Sequence, residues 1–223
     1  MTAPSATGPV ARPRLPAAME RTRVVAVLRA GDATEYSPVV EALLRGGVSS
    51  IELTLSTRGV FDELPMLRRR FGPAVELGVG TVTTAHEADL ALEAGADYLV
   101  TPTTDERVIA AGLAHGVAVV PGGFTPTELH LGWSLGCPAV KLFPASQLGP
   151  GFLGHLRGPF PDMLVMPSGG VAIDDAAAWI RAGSPAVSLG GPLVGDAFRG
   201  GDLGELTARA AHVRRLVDEA AAG

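Results

Sequence analysis

The amino-acid sequence predicts an α/β protein built as a single-domain (β/α)8 barrel, and three observations carry that reading. The chain has 223 residues, 47% of them hydrophobic and 18% charged, enough for one large domain with a sizeable core. One short design recurs along it: the end of an amphipathic helix, a glycine, a tight turn, then a β-branched run. It is seen in LLRGGVSSIELT (43–54), ALEAGADYLVTP (91–102), GLAHGVAVVPG (112–122), WSLGCPAVKLFP (133–144) and WIRAGSPAVSLGG (179–191). Eight such runs, each followed by a helical pattern, begin about 20 to 27 residues apart, which is the arithmetic of eight βα units. A doubly wound open sheet is the competing architecture, but no GxGxxG follows the first strand.

Taken in order, residues 1–16 are rich in Pro, Ala and Thr and read as a flexible tail. They lack the long apolar core of a secretory signal; a transit peptide is the alternative. The barrel then occupies 17–223. A short helix near 16–22 is placed to plug its bottom. Strands follow at 23–29, 48–54, 75–80, 97–101, 117–120, 138–142, 163–167 and 186–190. Their near-continuous apolar runs suit strands covered on both faces, as in a parallel sheet. The glycine before each suits the left-handed position that closes a helix. Asp32, Thr84, Thr104, Thr125 and Asp174 stand just before helical patterns and are candidate N-caps.

Composition excludes several classes of function. A net charge of −5 and a pI near 5.5 offer no attraction to nucleic acid or an anionic membrane. Aromatic residues make up only 5%, too few for base-stacking platforms. No apolar run approaches the roughly 18 residues needed to span a bilayer. A single cysteine, Cys137, precludes an internal disulfide and points to a reducing, cytoplasmic setting. It opens a strand at the end away from the expected site and reads as a small buried residue. His86, His115, His130, His155 and His212 are scattered without metal-ligand spacing.

In such a barrel the active site lies at the C-terminal ends of the strands, so the polar residues that end strands are the candidates. Lys141, in PAVKLFPA, is the only lysine; the other basic residues, 17 of 18, are arginines. A lysine here can be a snorkelling side chain or an ion-pair partner. Yet arginine serves as well for charge or phosphate contact and cannot serve as an amine nucleophile, because its guanidinium stays protonated and delocalised. The lone lysine therefore favours Schiff-base chemistry on a ketone. Glu52, in SIELTL, is the natural partner: a carboxylate on an apolar strand is costly without a role. It is either a salt-bridge partner of Arg29 or a general acid/base working with Lys141. Arg29, ending the first strand, can clamp a carboxylate bidentately. Thr81, Pro102 and Phe143 also follow strands. Ser168, Gly169 and Gly170 after strand seven, with Gly190 and Gly191 after strand eight, sit where such barrels bind phosphate, although turn geometry alone also explains paired glycines.

With these residues in place, the chain resembles the 2-keto-3-deoxy-6-phosphogluconate aldolase family, which includes 6-phosphogalactonate and 4-hydroxy-2-oxoglutarate aldolases. The resemblance covers about Val24 to Ala210 and rests on IELTL, GVGTV (78–82), VTP (100–102), PGGFT (121–125), KLFPA (141–145), PSGGV (167–171) and LGG (189–191), in that order. It implies a (β/α)8 barrel assembled as a homotrimer and independent of metal or other cofactor, its covalent chemistry being the lysine Schiff base. It implies Lys141 as that lysine and Glu52 as general acid/base. Thr81 and an arginine would hold the carboxylate of a keto-acid substrate, Phe143 and Pro102 would line the pocket, and Ser168, Gly169, Gly170, Gly190 and Gly191 would receive a phosphate.

Two departures matter. Ser56 stands where gluconate-type members carry an arginine, whereas Arg29 in VLR matches the galactonate type. Pro192 replaces a serine after the last glycine pair, removing a hydroxyl and a backbone N–H. The implied activity is a class I aldolase releasing pyruvate and glyceraldehyde 3-phosphate. The alternatives are a 4-hydroxy-2-oxoglutarate or unphosphorylated keto-acid aldolase, a phosphosugar isomerase using Glu52 as base with Lys141 as a charge only, and a non-enzymatic binding barrel.

Overall fold

Parallel strands alternate with helices along a computed structural model that describes residues 12–223. The strands are β1 (Val24–Leu28), β2 (Ser50–Thr54), β3 (Glu76–Gly80), β4 (Tyr98–Val100), β5 (Ala118–Val120), β6 (Gly122–Gly123), β7 (Val140–Leu142), β8 (Val165–Pro167) and β9 (Val187–Leu189). The helices are α1 (Ala17–Thr22), α2 (Tyr36–Arg45), α3 (Val60–Phe71), α4 (Ala85–Glu93), α5 (Glu106–Ala114), α6 (Pro126–Ser134), α7 (Gly151–Arg157), α8 (Ala176–Arg181), α9 (Gly191–Val194) and α10 (Leu203–Ala222). Six strands form one parallel sheet in the order β5-β4-β3-β2-β1-β9, and β6-β7-β8 form a second.

The fifth expected strand, 117–120, is β5, and a further two-residue strand, β6, follows it outside any expected run. Pro121 has no N–H to donate, so pairing with β4 stops at Val120 and resumes with β7 at Gly122. The two sheets also meet at their other ends, where Ser168 and Ser188 form an isolated parallel bridge.

Side-chain alternation explains why the main sheet curls. The residues of one strand face, such as Leu28, Ile51, Leu53, Leu77, Leu99 and Val187, pack with the helices in one large core. The opposite face forms a second, smaller cluster joining Val25, Tyr98, Val100, Val120, Ala139 and Met166. Strands at separate positions in the two sheets share that cluster, so the sheet must wrap around it. Leu15 and Met19 complete it, and the Met19 amide donates to Glu76 at 3.2 Å. The short N-terminal helix therefore stoppers the N-terminal ends of the strands.

The expected tail is shorter than 1–16. Leu15 is buried, and Arg12 lies over the Trp133 ring, 3.6 Å from its centroid, while donating to the Cys137 carbonyl at 2.9 Å. Residues 1–11 of the expected tail lie outside the described residues.

Of the candidate caps, Thr84 and Thr125 close full capping boxes with Glu87 and Glu128, and Asp32 does so for a 3-10 turn before α2. Two differ. Asp105, not Thr104, caps α5; the Thr104 hydroxyl donates instead to the carbonyls of Gly122 and Glu128. Asp175 rather than Asp174 precedes α8, without a side-chain cap.

Candidate active site

The C-terminal strand ends open on one cavity of about 410 Å³. All the site residues singled out in the sequence line it: Lys141 and Glu52; Arg29, Thr81, Pro102 and Phe143; and the backbone-rich edge formed by Ser168, Gly169, Gly170, Gly190 and Gly191.

Parallel register builds the centre. Glu52 pairs with Val27 of β1 on one side and Gly78 of β3 on the other, while Lys141 sits between Gly122 of β6 and Met166 of β8. The two side chains meet with Lys141 Nζ 3.9 Å from Glu52 Oε1. Their side chains are 9% and 1% exposed respectively, so the pair is withdrawn from bulk water yet borders the cavity. Glu52 Oε2 is buried with no hydrogen-bond partner, a costly state for a carboxylate oxygen unless a ligand or water reaches it. Sequence reading left Arg29 as the alternative partner of Glu52; the observed ion-pair partner is Lys141.

The glycines around the pair have steric causes. A Cβ on Gly80 would lie 2.0 Å from Glu52 Oε1, and one on Gly78 would lie 2.2 Å from the Tyr98 ring. In GVGT, then, one glycine makes room for the carboxylate and the other for the aromatic floor beneath it. Tyr98 is fully buried, and its hydroxyl meets Ser50 Oγ at 3.1 Å; burial pushes that phenol well above its ordinary range. Thr81 has φ +62°, an uncommon conformation for a β-branched residue, held at the cavity wall directly after β3.

Across the cavity, Phe143 places its ring centroid 5.3 Å from Lys141 Nζ, within cation–π range. Gly169, at φ +84°, passes so close that a Cβ would meet the Phe143 ring at 2.7 Å. Ser168 Oγ donates to Ser188 Oγ at 3.2 Å.

Sequence reading missed Arg199 and Phe198, which also line the cavity. They lie beyond α9, too far past a strand end for a search confined to strand ends. A basic and an aromatic residue together in the last βα loop was the available signal. Cys137 is buried, and burial pushes its thiol up to about 12 despite the opposing Arg12 charge. Among the described residues no three His, Cys, Asp or Glu side chains converge as a metal-binding group, and no helix is long and apolar enough to cross a membrane.

A buried lysine–carboxylate pair held between the two parallel sheets of an α/β fold fits the class of enzyme sites suited to carbonyl chemistry. The model of the family "KDPG and KHG aldolase" matches residues 15–208, and the chain belongs to that aldolase family, a family of lyases. A relative from Treponema pallidum (strain Nichols), named 2-dehydro-3-deoxy-phosphogluconate aldolase, is 30% identical over 203 residues, covering 90% of this chain and 96% of its own. One from Escherichia coli (strain K12), named 2-dehydro-3-deoxy-6-phosphogalactonate aldolase, is 31% identical over 84% of this chain and 90% of its own. The solved KDPG aldolase from Legionella pneumophila, with pyruvate captured as a covalent carbinolamine, superimposes with a TM-score of 0.81 at 26% identity, covering 88% of this chain and 96% of that one.

Proposed function

We propose that this enzyme cleaves a 2-keto-3-deoxy-6-phospho sugar acid to pyruvate and glyceraldehyde 3-phosphate, through a Schiff base on Lys141. The observation that carries the reading is the buried contact between Lys141 Nζ and Glu52 Oε1 at 3.9 Å, with the second carboxylate oxygen left without a partner. The Lys141 amine adds to the C2 ketone, and the carbinolamine loses water to give an iminium, the electron sink. Glu52, through water, takes the proton of the C4 hydroxyl. The C3–C4 electron pair flows into the iminium, and the aldehyde departs. The enamine left behind takes that proton back from Glu52 at C3, and hydrolysis frees pyruvate and the lysine. Arg29 and Thr81 hold the substrate carboxylate, Phe143 and Pro102 flank the C2 centre, and the Ser168–Gly170 and Gly190–Gly191 edges receive the phosphate. Each step is served by this chain's own side chains, and the reaction runs without a metal.

The strand path supports a finer statement of the fold. The Val120–Pro121–Gly122 connection on one side and the Ser168–Ser188 bridge on the other close the two sheets into one (β/α)8 barrel. Exposed Phe124, Leu131, Leu148 and Leu164 offer apolar surface for assembly into a homotrimer, measurable by sedimentation.

The test is borohydride reduction with pyruvate, followed by peptide mass spectrometry. A single reduced pyruvyl adduct on Lys141 is expected. Its absence at millimolar pyruvate, with Lys141 unmodified, would falsify the mechanism. Retained turnover in Lys141→Arg would instead favour the isomerase reading, in which the lysine supplies only charge.

A further inference from the structure

We infer that Arg199 is the residue that grips the distal phosphate, making it the determinant of preference for a phosphorylated substrate. This rests on the reading of the site as a keto-acid aldolase.

The first observation is a charge count. The cavity is lined by three cations, Arg29, Lys141 and Arg199, and one carboxylate, Glu52. It is a positive pocket in a protein of net charge −5. Lys141 is already matched by Glu52. Among the described residues no ion pair engages Arg29 or Arg199. Two unmatched guanidinium groups fit a substrate with two anionic ends. Arg29 directly follows β1, the neighbour of Glu52's strand, and takes the carboxylate beside the reacting carbon. That leaves Arg199, beyond the last strand, for the other end.

The second observation is that the glycine edge lacks a donor. Pro192, next to Gly191, also borders the cavity and brings neither hydroxyl nor N–H. A phosphate there needs charge-assisted donors from elsewhere.

The third is that the segment carrying Arg199 is built to hold it in place. Arg209 of α10 donates from Nε to the Leu193 carbonyl at 2.8 Å and from Nη2 to the Val194 carbonyl at 3.1 Å. The chain then turns through two left-handed glycines, Gly195 (φ +63°) and Gly200 (φ +82°). Between them the Phe198 ring packs edge-on against Tyr36 at 5.8 Å. Arg199 spends one of its N–H donors on the Gly195 carbonyl, at 3.3 Å, and a guanidinium has five.

The experiment measures kcat/KM on the 2-keto-3-deoxy acid with and without its 6-phosphate, for the native chain, Arg199→Ala and Arg199→Lys. Alongside it runs the pyruvate concentration for half-maximal borohydride trapping, in these and in Arg29→Ala. Arg199→Ala is expected to lose about 10- to 100-fold more on the phosphorylated substrate than on the unphosphorylated one, the range of a charge-assisted contact. The loss falls in KM, and Arg199→Lys lies between. Half-saturation by pyruvate is expected to rise more in Arg29→Ala than in Arg199→Ala. Equal losses on both substrates, no native preference for phosphate, or a greater pyruvate defect in Arg199→Ala would each overturn the assignment. A native chain that forms no Lys141 adduct at all would instead bring down the aldolase reading on which it rests.

Discussion

At the scale of single residues, the proposed chemistry depends on a carboxylate that could not occupy its place if its neighbour carried a side chain. Glu52 extends over Gly80, where a methyl group would stand 2.0 Å from Oε1. Two changes therefore separate the acid from its position. Glu52→Gln keeps the shape and removes proton transfer, and kcat should fall about 10²- to 10⁴-fold. Gly80→Ala keeps the carboxylate but drives it aside, and should lower both activity and stability, the latter by about 1–3 kcal/mol. Steady-state kinetics beside thermal melts tells them apart: normal activity in Gly80→Ala would show that the pair tolerates displacement. The lone lysine was legible because amine chemistry has no substitute among the side chains present. Arg199 was not, because its place depends on a chain reversal through Gly195 and Gly200 that no local pattern announces.

At the scale of elements, the repeat of helix, glycine, turn and strand was readable because each part has a local cause, and every strand but the two-residue β6 falls within an expected run. What escaped was decided by tertiary competition. Thr104 and Asp105 are both good caps; Asp105 takes the α5 amides because the Thr104 hydroxyl is engaged by Gly122 and Glu128. The break at Pro121 follows from one missing N–H, but which sheet Gly122 then joins depends on β7. The capping boxes give a test of their own. Hydrogen bonds from the Thr125 hydroxyl and then from the backbone of Thr125 and Phe124 hold the Glu128 carboxyl below its ordinary range. A lowered folded value means that its stabilisation is complete above the unfolded value and is lost as pH falls through the folded one. Thr125→Ala should cost about 1 kcal/mol near neutral pH, and the gap to the native chain should narrow in acid as Glu128 protonates. Chemical denaturation at pH 7 and at pH 3 measures it; an equal gap at both would mean the carboxylate takes no part.

At the scale of the whole molecule, the fold is least reinforced where its two sheets meet. The ladders from β2 outward run over four or five residue pairs to β1 and β3. The junctions have no such ladder: on one side the chain passes through Pro121, tied by the Gly122 amide to Thr101 Oγ1 at 3.2 Å, and on the other there is a single bridge at Ser168–Ser188. Both junctions border strands that carry or flank Lys141, so the mouth of the cavity is supported by the weaker parts of the sheet. Local opening draws on regions with few backbone hydrogen bonds. Amide exchange should therefore be slowest in β1, β2 and β3 and measurably faster at Gly122–Gly123, Ser168 and Ser188. Ser188→Ala removes one partner of the buried hydroxyl pair, 3.2 Å apart, and leaves the Ser168 hydroxyl short of a bond, which should cost about 1–3 kcal/mol. Its effect on exchange should concentrate at β8 and β9 rather than spread over the main sheet. Uniform acceleration through all strands would show instead that the seam and the main sheet open as one unit, and that the lysine's support is no looser than the carboxylate's.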